Sequence, residues 1–477
     1  MPAADPELAG PMQKPATGVR HLVLAGMTAA VLVAYLPRTA LGPAASLIKD
    51  ELRLSDLAMG DILGVWALGY LCLQLPGGWL GDRFGRRIML PLYGLVWSAC
   101  TLGTAAAASF AGLWWSRLIF GMAQGGLIPC LTRACVDWFP EDRRGTASAA
   151  LNAGMSSGAV VASGLSAPLL PWLGWRLTLR VFALVGVAWA VGFWIIFRNR
   201  PEEHPGVNQA ELALIRRGIA GADSEPLPEK GPADLLDRPS PRDEPKAPRR
   251  VDRLGVCGSR ALVLLNSQAF CRAFGYAFLT SWLPSYLKRA HGLSVASASA
   301  LTMLPLAGYI AGSILAGPLI DHLFRRTGSK WLSRSVVGAV SLVLTGLGTM
   351  SAMSSTHPAA LVALALGLTA GGFAGPATWA ATMDLGGKSS TSVMAILNMT
   401  GNLGAYLCPR AIGGILDAFP ERWDLVLLML ATVYILGGLC WLLVNPDTRK
   451  SGWVGEKCAL HRCRARPGPR YAFTGRG

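Results

Sequence analysis

Four arginines stand inside stretches that are otherwise apolar enough for hydrocarbon: Arg38 in "AYLPRTALG", Arg117 in "LWWSRLIFGMAQGG", Arg272 in "FCRAFGYAF" and Arg410 in "LCPRAIGG". A charge at such depth is expensive and marks a pathway or a partner by default. The guanidinium is planar, grips carboxylate or phosphate through two parallel hydrogen bonds, and stays charged at every relevant pH. The chemistry these residues suit is reversible capture of an anion, which offsets the buried charge while it is bound. Arg117, Gly121 and Gln124 are spaced i, i+4, i+7. On a helix they form one face about 10 Å long, which can look into a cavity.

The rest of the chain says what must position such a face. Of its 477 residues 52% are hydrophobic and only 15% charged, against about 25% charged in soluble proteins, and the mean hydropathy is +0.39. Runs of the roughly 20 residues that span a bilayer recur. They predict twelve helical spans, at 21–47, 58–80, 88–109, 112–135, 145–171, 178–198, 260–287, 298–320, 334–354, 358–384, 391–417 and 424–444. The first is long, has no convincing cleavage site and is followed at once by others, so it is expected to be retained.

The formal charge of +16 does not point to nucleic acid, because its location matters more than its sum. Arg83, Arg86 and Arg87 follow span 2, Arg143 and Arg144 span 4, Arg325, Arg326, Lys330 and Arg334 span 8, and Arg449 and Lys450 span 12, whereas the connection after span 3 carries no charge. The positive-inside rule then puts both termini in the cytoplasm of a multi-pass protein. No P-loop, nucleophile elbow or four-ligand metal pattern is present, and Cys458, His461 and Cys463 form the one Cys/His cluster. Neither an enzyme, a metal nor a cofactor is expected.

Residues 199–258 turn polar and hold nine prolines, which predicts a cytoplasmic, largely disordered linker. It separates a six-span half, 1–198, from a second, 259–445, followed by a basic tail, 446–477. The halves echo each other. "GYLCLQLPGGWLGDRFGRR" from Gly69 and "GYIAGSILAGPLIDHLFRR" from Gly308 align at an offset of 239, pairing Gly69 with Gly308, Gly78 with Gly317, Asp82 with Asp321, and Arg86 and Arg87 with Arg325 and Arg326. "ALNAGMSSG" and "ILNMTGNLG" likewise pair Asn152 with Asn398. Two such halves suit rocking about a central site, the alternating-access mechanism.

The segment Gly78-x-x-x-Asp82-Arg83-x-Gly85-Arg86-Arg87 lets helices approach at Gly78, offers Asp82 as a pairing group and keeps arginines at the water boundary, as a gating latch requires. It is similar to the signature of the major facilitator superfamily. With "WFPEDRRGTA", "RPEEHPGVNQAELALI", "SWLPSYLKRAHGLS" and "NMTGNLG", the chain resembles that superfamily's anion:cation symporter branch, carriers of organic anions such as sugar acids and of inorganic phosphate. The resemblance implies an all-α polytopic fold of twelve transmembrane helices in two pseudo-symmetric halves, in a bacterial inner membrane, as a monomer in the lipid bilayer. It also implies that Arg38 and Arg117 bind the anion, that Tyr35, Tyr70, Thr378, Trp379, Asn398 and Asn402 surround it, and that Arg272 matches an arginine of some members. Arg410 fits no such pattern.

The chain departs from the branch where its proton-coupling carboxylates would stand, since those positions are Pro37 and Gln124. Proline has nothing to protonate and an amide stays neutral. Either coupling to a proton or other ion has moved to Asp61 or Asp384, or the protein is a uniporter or exchanger. Arginines on spans 1 and 7 resemble the organophosphate antiporters, which keeps phosphate compounds as an alternative substrate class. A transporter-like receptor without flux is the reading from another class.

Overall fold

The computed structural model describes residues 15–140, 143–216, 260–353, 357–386 and 390–446. Ten helical runs among them are long and apolar enough to cross a membrane. One of these, Arg144–Ile196, holds two crossings, because Gly174 interrupts it at φ +69° and ψ 171°, and Ser390–Ala418 supplies the remaining one. The fold is the expected all-α bundle of twelve transmembrane helices.

Four spans are broken near their middle or end, at related places in the two halves. Span 1 divides into Val19–Thr39 and Leu41–Leu52, span 4 into Phe110–Gly125 and Leu127–Trp138, span 7 into Arg260–Ser281 and Leu283–His291, and span 10 into His357–Gly372 and Ala374–Gly386. A proline follows each break, at Pro43, Pro129, Pro284 and Pro376. Its ring clashes with the preceding turn and it has no N–H to give, so a carbonyl is released there. In hydrocarbon that carbonyl needs another donor. The Ser313 hydroxyl supplies one to the Gly372 oxygen, 3.0 Å away, which Pro376 leaves bare.

Each half has its own buried core. The first is built around Trp97, Phe120, Leu131 and Trp138, the second around Leu265, Leu342, Ala377 and Trp441. Among the described residues a larger cluster joins the halves at one end, where Ile48, Met59 and Ile62 meet Phe278, Trp282, Ile412 and Trp423. This end is opposite the arginine-rich turns and is called here the closed face. Glycines allow the approach. A Cβ on Gly60 would lie 2.2 Å from the Pro409 carbonyl oxygen, and one on Gly64 2.5 Å from that of Tyr406. On the other side, the basic face, the segments Leu127–Trp138 and Ala374–Gly386 pack on their own halves.

The expected unstructured linker differs at its start. Pro201–Glu203 forms a turn of 3-10 helix and Gln209–Arg216 an α-helix. Asn208 caps that helix through the Glu211 N–H at 2.9 Å. Glu211 is fully buried and accepts hydrogen bonds from the Thr17 hydroxyl and from the N–H groups of Val19 and Arg20, the latter two at 3.1 and 3.0 Å. The polar composition hid this, because the contact satisfies the free N–H groups at the start of span 1 and not an apolar core. The linker from residue 217 to 259, the tail from residue 447, and with it Cys458, His461 and Cys463, lie outside the described residues.

Candidate substrate cavity

A cavity of about 290 Å³ opens between the halves, lined from spans 1, 2, 7, 10 and 11. Arg38 enters it from the first half. Its guanidinium lies 3.5 Å from the Trp66 ring centre, 4.6 Å from that of Tyr35 and 5.7 Å from that of Tyr70. These π faces hold the cation in place, and none of them uses the hydrogen-bonding edge that an anion would need. Arg272 enters from the second half. One of its terminal nitrogens donates to the Tyr309 hydroxyl at 3.2 Å, while its buried Nε has no partner. Tyr309 in turn packs against Tyr276, with ring centres 4.8 Å apart. No aspartate or glutamate is among the lining residues. Among the described residues, two cations of different halves thus face one space that no carboxylate lines.

Thr378, Trp379, Asn398 and Asn402 line the same space. Thr378 is turned onto the carbonyl of Ala374 at 2.7 Å and accepts from the buried Gln268 amide at 3.4 Å. The Asn402 amide donates to the Asn398 carbonyl oxygen at 2.9 Å. Trp379 is 55% exposed, at the rim. Tyr70 is buried beside Arg38 and is not part of the wall. Trp66, Tyr276 and Gln268 were missed in the sequence, although each carries a signal: Trp66 stands one turn from Tyr70, and Gln268 and Tyr276 each stand one turn from Arg272.

The row Arg117, Gly121, Gln124 does not open on the cavity in this structure. Arg117 is 1% exposed and lies behind span 1, where it donates to the Pro37 carbonyl oxygen at 3.3 Å and sits 4.1 Å over the Phe120 ring. Gln124 is equally buried and donates to the Ala34 oxygen at 2.8 Å. Gly121 faces span 2, where a Cβ would come within 1.9 Å of the Trp66 carbonyl oxygen. For Arg117 the reason is the break after Thr39: the Pro37 carbonyl is among the last four of its helix, which have no partner within it, and a buried donor nearby is drawn to it.

Both acids considered for coupling are paired. Asp384 receives Lys330 at 2.8 Å and Arg334 at 3.4 Å, as Asp137 receives Arg86 at the matching place in the first half. Asp61 is bonded to Arg410 of the other half, which gives Arg410 the partner that its sequence context did not suggest. In the latch, Gly78 sits against Pro129 and Gly85 turns at φ +85° with its neighbour Arg87 donating its N–H to Asn199 at 2.9 Å. Arg83 lies over the Trp79 and Phe84 rings. Exposed Asp82 reaches Arg86 of its own half at 3.4 Å. Asp321 and Arg325 are exposed and make no ion pair among the described residues. Among the described residues, the residues expected to form the latch pair only within their own halves.

Two repeated six-helix halves, joined at one face and enclosing a charged cavity, define a membrane carrier. The chain belongs to the Major Facilitator Superfamily, whose model matches residues 27–237 and 265–457. It is similar to a probable sulfoacetate transporter of Cupriavidus necator, 27% identical over 90% of this chain and 94% of that one. It is also similar to a probable galactarate/D-glucarate transporter of Bacillus subtilis, 29% identical over 84% and 87%, and to a D-galactonate transporter of Escherichia coli, 26% identical over 91% and 97%. In fold it is similar to a bacterial homolog of the human lysosomal transporter Spinster in an inward-facing, unoccupied conformation. The TM-score is 0.69 at 19% identity, over 89% of this chain and 97% of that one.

Proposed function

We propose that this protein moves a small organic anion, a sugar acid or other carboxylate, across a bacterial inner membrane by alternating access. The observation that carries the reading is Arg38 and Arg272, drawn from different halves, facing one cavity without a carboxylate. An anion held between them offsets their charge and pulls the halves together, which a neutral solute cannot do. Of the relatives named above, two are probable transporters of sulfoacetate and of galactarate or D-glucarate, and the third is a D-galactonate transporter. That favours carboxylates over phosphate esters.

With the arginine-rich turns on the cytoplasmic side, the structure is inward-facing and its closed face is external. The cavity is completed within one chain, which supports a monomer as the working unit. Arg117 and Gln124 act as braces for span 1, and Pro37 and Gln124 stand where the branch that this chain resembles has its proton-coupling carboxylates. This favours exchange or facilitated movement, because two unneutralised arginines make reorientation of the empty carrier costly. Reconstitution into liposomes tests the reading. Saturable uptake of D-glucarate, D-galactonate or sulfoacetate, faster when vesicles are preloaded with the same anion, is expected. Binding of these anions with no flux under any gradient would identify a receptor and contradict it.

A further inference from the structure

The helix of span 2, Asp56–Phe84, begins with its own cap: the Ser55 hydroxyl accepts the Ala58 N–H at 3.1 Å and the Ser55 carbonyl accepts that of Met59 at 3.0 Å. Its first two N–H groups receive nothing from nearby sequence. They are taken by Asp417, at the end of span 11 in the other half, with Asp56 N–H at 2.7 Å from one carboxylate oxygen and Leu57 N–H at 2.9 Å from the other. A carboxylate at this place also meets the positive end of the helix dipole, so the bonds are charge-assisted. Around it the closed face is tied by cations. The Asp56 side chain lies 2.6 Å from Lys49 and 3.0 Å from Arg289, Arg289 reaches Glu421 at 2.9 Å, and Arg410 holds Asp61 one turn deeper.

We propose that Asp417 is the release catch of the carrier, the residue that keeps this face shut by capping a helix of the opposite half and must let go for the face to open. Gly413, one turn before it, explains why the catch is tight. A Cβ there would lie 2.2 Å from the Asp56 carbonyl oxygen, so the two backbones are already in contact and the carboxylate needs no long arm. The cap is made only while spans 2 and 11 touch, and the closed face cannot open without separating them. Asp417 therefore favours one of the two transport states, unlike an ordinary cap, which would stabilise both equally.

The test reads the opening directly and needs no substrate, so its result is independent of what the protein carries. Ser285 is 5% exposed and lines the crevice between the ion pairs of the closed face. Ser285→Cys is labelled with a maleimide in nanodiscs, and modification of that peptide is followed by mass spectrometry. Adding Asp417→Ala should raise the labelling rate about tenfold, the size a lost N-cap of about 1.4 kcal/mol gives. Asp417→Asn, which keeps one acceptor oxygen, should give an intermediate rate and serves if the first variant does not fold. Asp424→Asn, whose acid pairs with Arg422 of its own half, should leave the rate unchanged. A rate unaltered by both Asp417 variants, or raised equally by Asp424→Asn, would overturn the proposal.

Discussion

Gln124 gives its side-chain amide to the carbonyl oxygen of Ala34, 2.8 Å away, and so fastens span 4 to span 1 just before the Pro37 kink. Replacing it by leucine should remove one hydrogen bond worth about 0.5–1.5 kcal/mol. We expect a small drop in the Tm of purified Gln124→Leu with anion affinity within about twofold of wild type. Loss of binding with unchanged Tm would mean that Gln124 meets the substrate.

Among the described residues Arg38 is held by aromatic rings, which leaves its N–H groups for the ligand. Arg38→Gln should weaken anion binding by roughly 10–150-fold, the range for a charged hydrogen bond of about 1.5–3 kcal/mol. Trp66→Ala, which removes the nearest π face, should weaken it less, by about 2–30-fold. Calorimetric titration of the two variants checks the order. Equal affinities in wild type and Arg38→Gln would remove Arg38 from the site.

Gly121 has no room for a methyl group against the Trp66 carbonyl, and Gly69 has none against that of Leu118, where a Cβ would be 2.1 Å away. Each alanine variant should cost about 1–3 kcal/mol in strain. A fall in monodisperse yield and Tm is expected for Gly121→Ala. For Gly192→Ala, where nothing lies within 4 Å, neither should change.

The Glu211 clasp outside the membrane makes part of the stability depend on pH. Burial alone would raise the pKa of this carboxyl, but the Thr17 hydroxyl and the N–H groups of Arg20 and Val19 hold it below its ordinary value of 4.5. A depressed folded-state pKa means that its contribution is fully present above the unfolded value, near 4.5, and is lost as pH falls through the folded one. Glu211→Gln should therefore lower Tm at pH 7, with the gap to wild type narrowing as pH drops below about 4.5. A gap constant across that range would contradict the clasp.

Residue type and spacing made the architecture legible because lipid allows few solutions. An apolar run of sufficient length must be a helix there, and the repeat from Gly69 and Gly308 divides the helices into halves. Arg38 and Arg272 could be placed because their charge has no other reason to sit at that depth. Arg117 shares that property and misled. Its face was read from helical spacing, but what it faces is decided by the break in span 1, which leaves the Pro37 carbonyl free behind the cavity. Arg410 and Asp61, or Asp417 and Leu57, are more than 300 residues apart and share no local pattern, so such pairs emerge only when the halves are packed together. Glu211 was obscured by a proline-rich composition that describes most of its segment and not its first turns.

The central claim is that one anion is held between Arg38 and Arg272, and ligand-induced thermal stabilisation tests it most directly, since an anion that binds the native state raises Tm. Purified wild type, Arg38→Gln, Arg272→Gln and the double variant are melted with D-glucarate, D-galactonate, sulfoacetate and inorganic phosphate. At least one of the organic anions should raise Tm in wild type, less in either single variant and not at all in the double. Stabilisation that survives in the double variant, or that comes from phosphate alone, would contradict the account.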